Sequence, residues 1–257
     1  EHGALFACGL AAEGMKPYIA IYSTFMQRCI DMIQHDAALQ KLPVRFCMDR
    51  AGLSPDDGPT HHGLFDIAMI RSIPNIVFMQ PKDEAEFVHM LRTMNHYQNG
   101  PTVIRYPRGC GAGVPVPAKG EILPIGKAEV LQTGQDVTLV SLGTMIGIAR
   151  ETASLLEARG YTVTLINARF IKPLDDECIR RHAERSRVVC TFEDHSISGG
   201  FNSAVLESLE TGDIKTPVEA IAWPDQFIEH GSESILRKKY GLTAEAALQK
   251  IIPHLNS

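Results

Sequence analysis

Hydrophobic positions along the chain form short runs rich in β-branched residues, and these runs alternate with longer stretches of helical spacing. The runs predict buried strands, because a strand covered on both faces of its sheet is apolar at successive positions. Such runs occur at 17–22, 44–48, 76–79, 102–105, 137–142, 162–167, 188–192 and 218–221. The alternation predicts an α/β fold with mainly parallel sheets.

Helices are predicted between these strands. A small-residue apolar helix opens the chain and ends at Gly14, a second helix begins at Thr24, and a third begins after Pro81 with acidic residues in its first turn. Ser23 or Thr24 is expected to cap the second helix. Further helices are predicted at 145–159, 175–185, 200–209 and 244–252.

The segment at 109–127 is rich in Gly and Pro and has no periodicity. These features predict a boundary between two domains. A length of 257 residues agrees with that division, since domains usually contain about 100–150 residues. We therefore expect two tandem three-layer α/β domains at 1–113 and 129–257, joined by a linker at 114–128.

The composition, with 44% hydrophobic and 21% charged residues, is typical of a globular protein. A formal net charge of -5 argues against a nucleic-acid partner. No apolar run reaches the roughly 20 residues of a membrane span, so no membrane partner is expected. Six scattered cysteines without a C-x-x-C pair indicate reduced, buried thiols. The expected location is the cytoplasm, or a plastid in a plant.

Several common chemistries lack their motifs, including the nucleophile elbow and the phosphate loop. The glycine-rich segment at 109–113 leads into Val-Pro-Val-Pro rather than a helix, so it lacks a helix N-terminus for a pyrophosphate. The neighbours His61 and His62 point to different sides of an extended chain and form a poor zinc pair. Glu-Asp-His at 193–195 is better interpreted as a strand end before a Gly-Gly turn than as a metal cluster.

The polar loop at 48–63 is the strongest candidate site. It follows a predicted strand, and ligands of open α/β sheets bind beyond the carboxyl ends of strands. Arg50 offers paired donors for phosphate or carboxylate, and His61 or His62 can titrate near neutral pH. Asp57 can orient a histidine or relay a proton. The alternative is a solvated loop with Asp caps and turns.

Two further segments follow predicted strands. Arg105 and Arg108 flank an aromatic residue, which makes a phosphate clamp one hypothesis and a surface turn the other. The segment at 22–28 lies at a strand-to-helix junction and contains Phe25, for which a core position is the ordinary interpretation.

Four segments occur in a distinctive order and spacing: Tyr-Ser-Thr-Phe-Met-Gln-Arg at 22–28, Asp-Arg-Ala-Gly at 49–52, Asp-Gly-Pro-Thr-His at 57–61 and Arg-Tyr-Pro-Arg-Gly at 105–109. The third alone indicates only the transketolase superfamily. Together they resemble the 1-deoxy-D-xylulose-5-phosphate synthase family. The resemblance continues through 169–175, 193–195, 199–201 and 223–225, so it covers essentially the whole chain.

The resemblance implies an enzyme that condenses pyruvate with D-glyceraldehyde 3-phosphate to 1-deoxy-D-xylulose 5-phosphate and carbon dioxide, for isoprenoid, thiamine and pyridoxal synthesis. The family uses thiamine diphosphate and magnesium and implies a homodimer. Its first domain binds the diphosphate and magnesium. This chain resembles most of the second, pyrimidine-binding domain and all of the third, the transketolase C-terminal domain, so the missing N-terminal part is an expected partner.

The resemblance assigns three residues to the cofactor: Phe25 stacks on the aminopyrimidine ring, and Tyr22 and Arg28 are its neighbours. The family's catalytic glutamate lies in a Glu-x-His element, in which Glu1 here takes the x position before His2. We therefore expect the catalytic glutamate just upstream, in a longer protein. The superfamily's magnesium motif is absent from the sequence, and we expect no metal ligands in this chain.

Four more residues are assigned to the substrates by the resemblance. Asp57 and His61 form a catalytic polar pair, and Arg50 and Arg108 hold the phosphate of the acceptor. Hydrogen bonds to a charged group contribute about 1.5–3 kcal/mol each, so two arginines suit a phosphate dianion. One alternative is a transketolase or a pyruvate dehydrogenase-type β subunit, against which the segment at 105–108 argues. The other is a non-catalytic assembly module.

Overall fold

The structure, a computed structural model, describes residues 1–256. The strands in this part of the chain are β1 (Tyr18–Tyr22), β2 (Arg45–Asp49), β3 (Val77–Met79), β4 (Thr102–Arg105), β5 (Glu129–Gln132), β6 (Val137–Ser141), β7 (Val163–Asn167), β8 (Phe170–Lys172), β9 (Val188–Ser196) and β10 (Val218–Trp223). The eight predicted strands are confirmed. The prediction missed β5 and β8, which have only four and three residues.

The strands form two mainly parallel sheets. The first sheet has the order β1-β2-β4-β3-β8, and the second has the order β10-β9-β6-β7-β5. In each sheet one edge strand is antiparallel, β8 in the first and β5 in the second. The prediction of two mainly parallel sheets is therefore confirmed. We call residues 1–113 the first unit and residues 129–257 the second unit.

The helices of the described residues are α1 (His2–Ala12), α2 (Ser23–Met26), α3 (Asp66–Ile70), α4 (Glu84–His96), α5 (Ile146–Glu157), α6 (Asp176–Ala183), α7 (Phe201–Thr211), α8 (Glu233–Tyr240) and α9 (Ala244–Leu255). The sequence analysis missed α3 and α8. None of these helices is both long and apolar enough to cross a bilayer.

The second predicted helix is not continuous. The short α2 leads into a 3-10 turn at Gln27–Cys29 and then a π-helix at Met32–Ala38. The predicted cap is wrong as well, because neither hydroxyl of Ser23 or Thr24 caps α2, and both are buried without a hydrogen-bond partner among the described residues. Caps do form elsewhere: Asp83 accepts from the backbone N–H of Glu86 at the start of α4.

Each sheet has a hydrophobic core on both faces. Alternate residues of a strand point to opposite faces, so Phe46 and Met48 of β2 pack with α1 and the π-helix, whereas Cys47 packs with α4. The second sheet is covered by α6 and α7 on one face and by α5 and α9 on the other. The predicted three-layer arrangement is confirmed. Ala4 of α1 and Phe201 of α7 belong to one continuous core, which the two units share.

Strand β8 joins the units through the backbone. Its residues Phe170 and Lys172 pair with Met79 and Phe78 of β3, so a segment of the second unit completes the first sheet. The predicted linker at 114–128 contains no helix or strand and lies along α4, where the backbone N–H of Leu123 donates to Thr93 Oγ1 at 2.8 Å. The domain limits themselves remain a prediction.

The six cysteines are free thiols. Five are buried, as predicted, but Cys110 is exposed, because it lies in the glycine-rich segment after β4. Burial raises the pKa of Cys8 and of Cys47 to about 11, which keeps these two thiols protonated at neutral pH.

The guanidinium of Arg105, at the end of β4, is buried and joins four parts of the chain. Nε donates to Asp66 Oδ2 at 3.0 Å, and Nη1 donates to Gln80 Oε1 at 2.5 Å. Nη2 donates to the carbonyl oxygens of Gly63 at 3.3 Å and of Asp194 at 3.2 Å. The side chains of Arg105 and Asp66 are 0% and 1% exposed. Arg105 therefore ties α3, β3, the end of the polar loop and the second unit together.

Replacement of Arg105 by Met should strongly destabilise the protein, because the carboxylate of Asp66 would stay buried without its ion pair. We expect the free energy of unfolding to fall by about 3–5 kcal/mol, as measured by urea denaturation. Arg108→Met is the matched control, since the side chain of Arg108 is 42% exposed and should contribute at most about 1 kcal/mol. Equal losses in the two variants would contradict the prediction.

Candidate active site

Three neighbouring parallel strands bring the candidate residues together. Strands β1, β2 and β4 are adjacent in the first sheet, with Tyr22 paired to Asp49 and Met48 paired to Arg105. Their carboxyl ends are therefore level, and the segments that follow them meet at one edge of the sheet, where ligands of open α/β sheets bind.

Arg50 follows β2 directly and is held by Tyr22 and Asp57. Its Nη2 donates to the hydroxyl of Tyr22 at 2.8 Å, and the guanidinium carbon lies 4.2 Å from the centroid of that ring. Nη1 donates to Oδ2 of Asp57. The hydrogen bond to Tyr22 and the nearby carboxylate of Asp57 raise the pKa of Arg50. Its backbone φ of 56° is left-handed, which is unfavourable for a residue with a Cβ atom.

Arg108 reaches the same carboxylate from the segment after β4. Its Nη1 lies 3.3 Å from Oδ2 of Asp57 and 3.1 Å from Oδ2 of Asp56. Arg50 and Arg108 therefore converge on one oxygen of Asp57, which acts as an internal anion between them. Arg105 does not take part. The hypothesis that it forms a clamp with Arg108 is wrong, because its guanidinium is bonded to groups in the interior.

The rings of Tyr22, Phe25 and His61 form a wall beside the arginines. Tyr22 and Phe25 are stacked, with centroids 5.5 Å apart and an interplanar angle of 13°. His61 meets Phe25 edge to face, with centroids 5.4 Å apart. Phe25 is 49% exposed, so the interpretation of Phe25 as a core residue is wrong. Asp57 is paired with the arginines, whereas His61 is held by the rings, so these two residues have different neighbours.

A cleft of about 420 Å³ opens next to the aromatic wall. Phe25, Arg28, Thr24 and Thr60 line it, and Glu1 lies there too. An exposed phenyl face beside a cleft of this size fits a flat heteroaromatic ring such as the pyrimidine of thiamine diphosphate, since aromatic rings stack in offset geometry. The structure thus places Arg28 in the same cleft as Phe25.

The polar loop is closed at its base by two backbone hydrogen bonds. The N–H groups of Gly52 and Gly63 each donate to the other's carbonyl oxygen at 2.8 Å. A Cβ atom at Gly63 would lie 2.5 Å from the carbonyl oxygen of Arg50 and 2.6 Å from Oγ of Ser23. Only glycine allows this approach, so Gly63 helps to bring Arg50 close to the end of β1.

His62 has a structural environment that differs from that of His61. It is 3% exposed, and its Nδ1 accepts from the backbone N–H of Ser54 at 3.0 Å. Its Nε2 donates to the carbonyl oxygen of Glu229, at 3.3 Å. Burial lowers the pKa of His62, so the neutral ring that these two bonds require is favoured. The expectation that the two histidines point apart is confirmed.

Residues 193–195 end β9 in the interior. Glu193 accepts from the backbone N–H groups of Phe201 and Asn202 at 2.6 and 2.9 Å, at the start of α7. His195 Nδ1 donates to the carbonyl oxygen of Ser196 at 2.7 Å. Burial raises the pKa of Glu193 to about 7 and lowers that of His195 to about 4. The interpretation as a strand end is confirmed, and residues 1–256 contain no group of three His, Cys, Asp or Glu placed for a metal ion.

The sequence analysis missed the contribution of the second unit to the polar loop. Asp194 accepts from the backbone N–H of Leu53, and a Cβ atom at Gly58 would lie 3.3 Å from Cδ2 of His230. The resemblance at 193–195 and 223–225 was the signal for this region, and it gave no contact with the loop.

Two domains of one family match the chain. Residues 1–112 match the pyrimidine binding domain of transketolase, and residues 126–246 match the transketolase C-terminal domain. The 1-deoxy-D-xylulose-5-phosphate synthase of Methylacidiphilum infernorum is 53% identical over 260 residues, which cover 100% of this chain and 41% of that protein. The corresponding protein of Acidobacterium capsulatum is 52% identical, over 99% of this chain and 40% of its own length.

Two solved structures of transketolases are also similar to this chain. One described as "Split gene transketolase, inactive beta4 tetramer" has a TM-score of 0.88 and 30% identity, and the match covers 99% of this chain and 81% of that one. The transketolase of Campylobacter jejuni has a TM-score of 0.77 at 19% identity, which shows the fold alone.

The chain therefore belongs to the transketolase family. Within it, the chain is similar along its whole length to the C-terminal part of 1-deoxy-D-xylulose-5-phosphate synthases, and it spans about two fifths of the length of these curated relatives, 41% and 40% in the two named.

Protonation of His62 should weaken the folded state. Because its folded pKa lies below the ordinary value of 6.5, the unfolded chain binds a proton more readily, and stability falls as the pH drops below 6.5. His62→Asn should lower the free energy of unfolding by about 1–3 kcal/mol at pH 7.5, and this difference should shrink at pH 5.5. Urea denaturation at both pH values measures it. His35→Asn, at a side chain that is 62% exposed, is the control, and a difference independent of pH would contradict the prediction.

Proposed function

We propose that the chain is the pyrimidine-binding and acceptor-phosphate-binding part of a 1-deoxy-D-xylulose-5-phosphate synthase, a thiamine-diphosphate-dependent transferase. The whole enzyme would join pyruvate to D-glyceraldehyde 3-phosphate with loss of carbon dioxide. The observation that carries the proposal is the convergence of Arg50 and Arg108 on one carboxylate oxygen, beside the exposed ring of Phe25.

The arginine pair suits the phosphate of the acceptor. The two guanidinium groups already share one anionic oxygen, so a phosphate ester can take that place with more oxygens and more charge. Asp56 is 77% exposed in its side chain and can turn into solvent at little cost. Phosphate binding would release Asp57 from the arginines. The freed carboxylate would then be available as the catalytic polar group beside His61 that the family resemblance implies.

The aromatic wall suits the cofactor. Phe25 would stack on the pyrimidine, with Tyr22 and Arg28 beside it. Thiamine diphosphate, when bound, supplies the nucleophilic carbon of the reaction. We expect the diphosphate and magnesium to be held by the N-terminal domain of the whole enzyme.

The surface of α1 supports a larger assembly. Ala4 and Ala7 are buried, but Leu5 and Phe6 on the other side of the same helix are 46% and 61% exposed. A helix that is apolar all round is normally covered on all sides. We propose that the N-terminal part of the enzyme and a second copy in a homodimer provide this cover, in the cytoplasm or a plastid.

A non-catalytic assembly module is the second candidate. One observation favours it: the chain covers 81% of the split-gene transketolase chain, which is described as an inactive beta4 tetramer. The two candidates differ in activity once the N-terminal part is present, because an assembly module would leave Arg50 and Arg108 without a role in turnover.

In the full-length enzyme, Arg50→Ala and Arg108→Ala should each raise the KM for D-glyceraldehyde 3-phosphate by about 10–100-fold, because each variant loses a charge-assisted hydrogen bond to phosphate. The KM for pyruvate should change by no more than about threefold. Steady-state kinetics with each substrate varied in turn measures both constants.

Arg150→Ala, on the exposed side of α5, is the control and should change neither constant. Equal increases of the two KM values in the Arg50 and Arg108 variants would refute the phosphate assignment and favour another enzyme of the family. Unchanged kinetic constants in both variants would favour the assembly module.

The isolated 257-residue chain should make no 1-deoxy-D-xylulose 5-phosphate from the two substrates, even with thiamine diphosphate and magnesium. The reason is that the sequence lacks the magnesium motif of the superfamily and spans only 41% and 40% of the length of the two curated relatives. Product formation followed by mass spectrometry checks this. Turnover by the pure chain would show that a complete active site is present.

A further inference from the structure

Asp194, at the end of β9, connects the second unit to the polar loop. Its Oδ1 accepts from the backbone N–H of Leu53 at 3.3 Å and from Nε1 of Trp223 at 2.6 Å. Its Oδ2 accepts from Nη2 of Arg237 at 3.1 Å. The carboxylate is 4% exposed. Trp223 and Arg237 therefore fix the orientation of the Asp194 carboxylate from within the second unit, so that Oδ1 faces the polar loop.

The backbone of the loop lies directly against the carboxylate of Asp194. A Cβ atom at Gly52 would lie 2.4 Å from Oδ2 of Asp194, and the φ of Gly52 is +90°. Gly52 and Leu53 follow Arg50 by two and three positions. The contact thus fixes the backbone immediately after the arginine that carries the proposed phosphate site.

A second attachment lies further along the same loop. The ring of His62 links the backbone N–H of Ser54 to the carbonyl oxygen of Glu229 in the second unit. Leu53 and Ser54 are consecutive, so the second unit holds two successive N–H groups of the loop, one directly and one through His62. The rest of the loop, including Asp57, projects from this anchored segment.

We propose that Asp194 is a positioning residue for the acceptor-phosphate site, through which the second unit holds Arg50 in place. This inference rests on the proposed function of Arg50. Arg50 has a left-handed backbone and must meet both Tyr22 and Asp57, so a small shift of the segment that follows it would move the guanidinium away from the phosphate. Displacements of about 1 Å in a binding group can cost about a hundredfold in rate.

The test uses Asp194→Asn in the full-length enzyme. The amide keeps the shape of the carboxylate but cannot accept on both sides, so it turns a donor toward either Leu53 and Trp223 or Arg237. We expect the KM for D-glyceraldehyde 3-phosphate to rise by about tenfold, while the KM for pyruvate stays within about twofold. A residue that acted only on overall stability would lower the amount of folded enzyme and leave both KM values unchanged.

The double variant Arg50→Ala with Asp194→Asn separates positioning from an independent effect. If Asp194 acts through Arg50, the double variant should have an acceptor KM within about twofold of Arg50→Ala alone. A KM that rises by the product of the two single effects would overturn the proposal. If Arg50→Ala raises the KM values for D-glyceraldehyde 3-phosphate and pyruvate equally, the phosphate assignment fails and the proposal fails with it. If Arg50→Ala raises only the KM for D-glyceraldehyde 3-phosphate and Asp194→Asn raises both KM values or neither, the phosphate assignment stands and only the positioning role of Asp194 is refuted.

Amide hydrogen exchange gives a readout that does not depend on activity. Exchange at Leu53 and Ser54 should accelerate at least about fivefold in Asp194→Asn, and unchanged exchange would overturn the proposal. Glu207→Gln is the matched control, since Glu207 pairs with Arg71 at 2.6 Å across another part of the contact between the units, and it should alter neither KM nor loop exchange.

If Asp194→Asn does not fold, Trp223→Phe is the second variant, because it removes one of the three hydrogen bonds of Asp194. It should raise the KM for D-glyceraldehyde 3-phosphate more than the KM for pyruvate, though less than Asp194→Asn would. A Trp223→Phe variant that changes both KM values equally, or neither, would overturn the proposal.

Discussion

The ion pair of Arg105 with Asp66 is the interaction on which the arrangement of the molecule depends. A buried guanidinium is tolerated only when its charge and its donors are satisfied, so its partners must be present together. They come from α3, from the residue after β3, from the end of the polar loop and from β9 of the second unit. One side chain thus fixes both the base of the candidate site and the contact between the units.

In the same arrangement, residues of the first unit lie at the carboxyl ends of the strands of the second sheet. In an open α/β sheet the strand order reverses at a point where a crevice forms beyond the carboxyl ends, and ligands commonly bind there. In the second sheet this point lies between β6 and β9. In this protein, residues of the first unit fill that crevice. Gln80 packs so closely on Gly143 that a Cβ atom at Gly143 would lie 2.2 Å from Nε2 of Gln80, and Leu53 of the polar loop donates a hydrogen bond to Asp194. The crevice of the second unit holds protein and thereby shapes the site of the first.

The sequence was most informative where burial dominates. Short apolar runs identified eight strands, and the position of polar segments after strands identified the loop that carries Arg50 and Asp57. The sequence was least informative where contacts between distant parts of the chain determine whether a strand forms or which way a side chain points. The edge strands β5 and β8 were missed although β3 and β4 are equally short, because β5 and β8 form by antiparallel pairing with β7 and β3, which no local pattern records. Arg105 and Arg108 looked equivalent, yet the first belongs to β4 and turns inward, whereas the second follows it and reaches Asp57. Asp194 looked like part of a strand end, because nothing local reveals that it meets Leu53.

Strand β8 has a consequence for synthesis of the protein. The first sheet needs β8 as its last strand, but that strand is encoded after the linker and after three strands of the second unit. As the chain leaves the ribosome, β3 therefore presents an open edge of unpaired N–H and C=O groups until the linker and the first three strands of the second unit have been made. The delay between translation of β3 and of β8 is a period of exposure to wrong pairing, and it ends only when the two halves of the chain assemble.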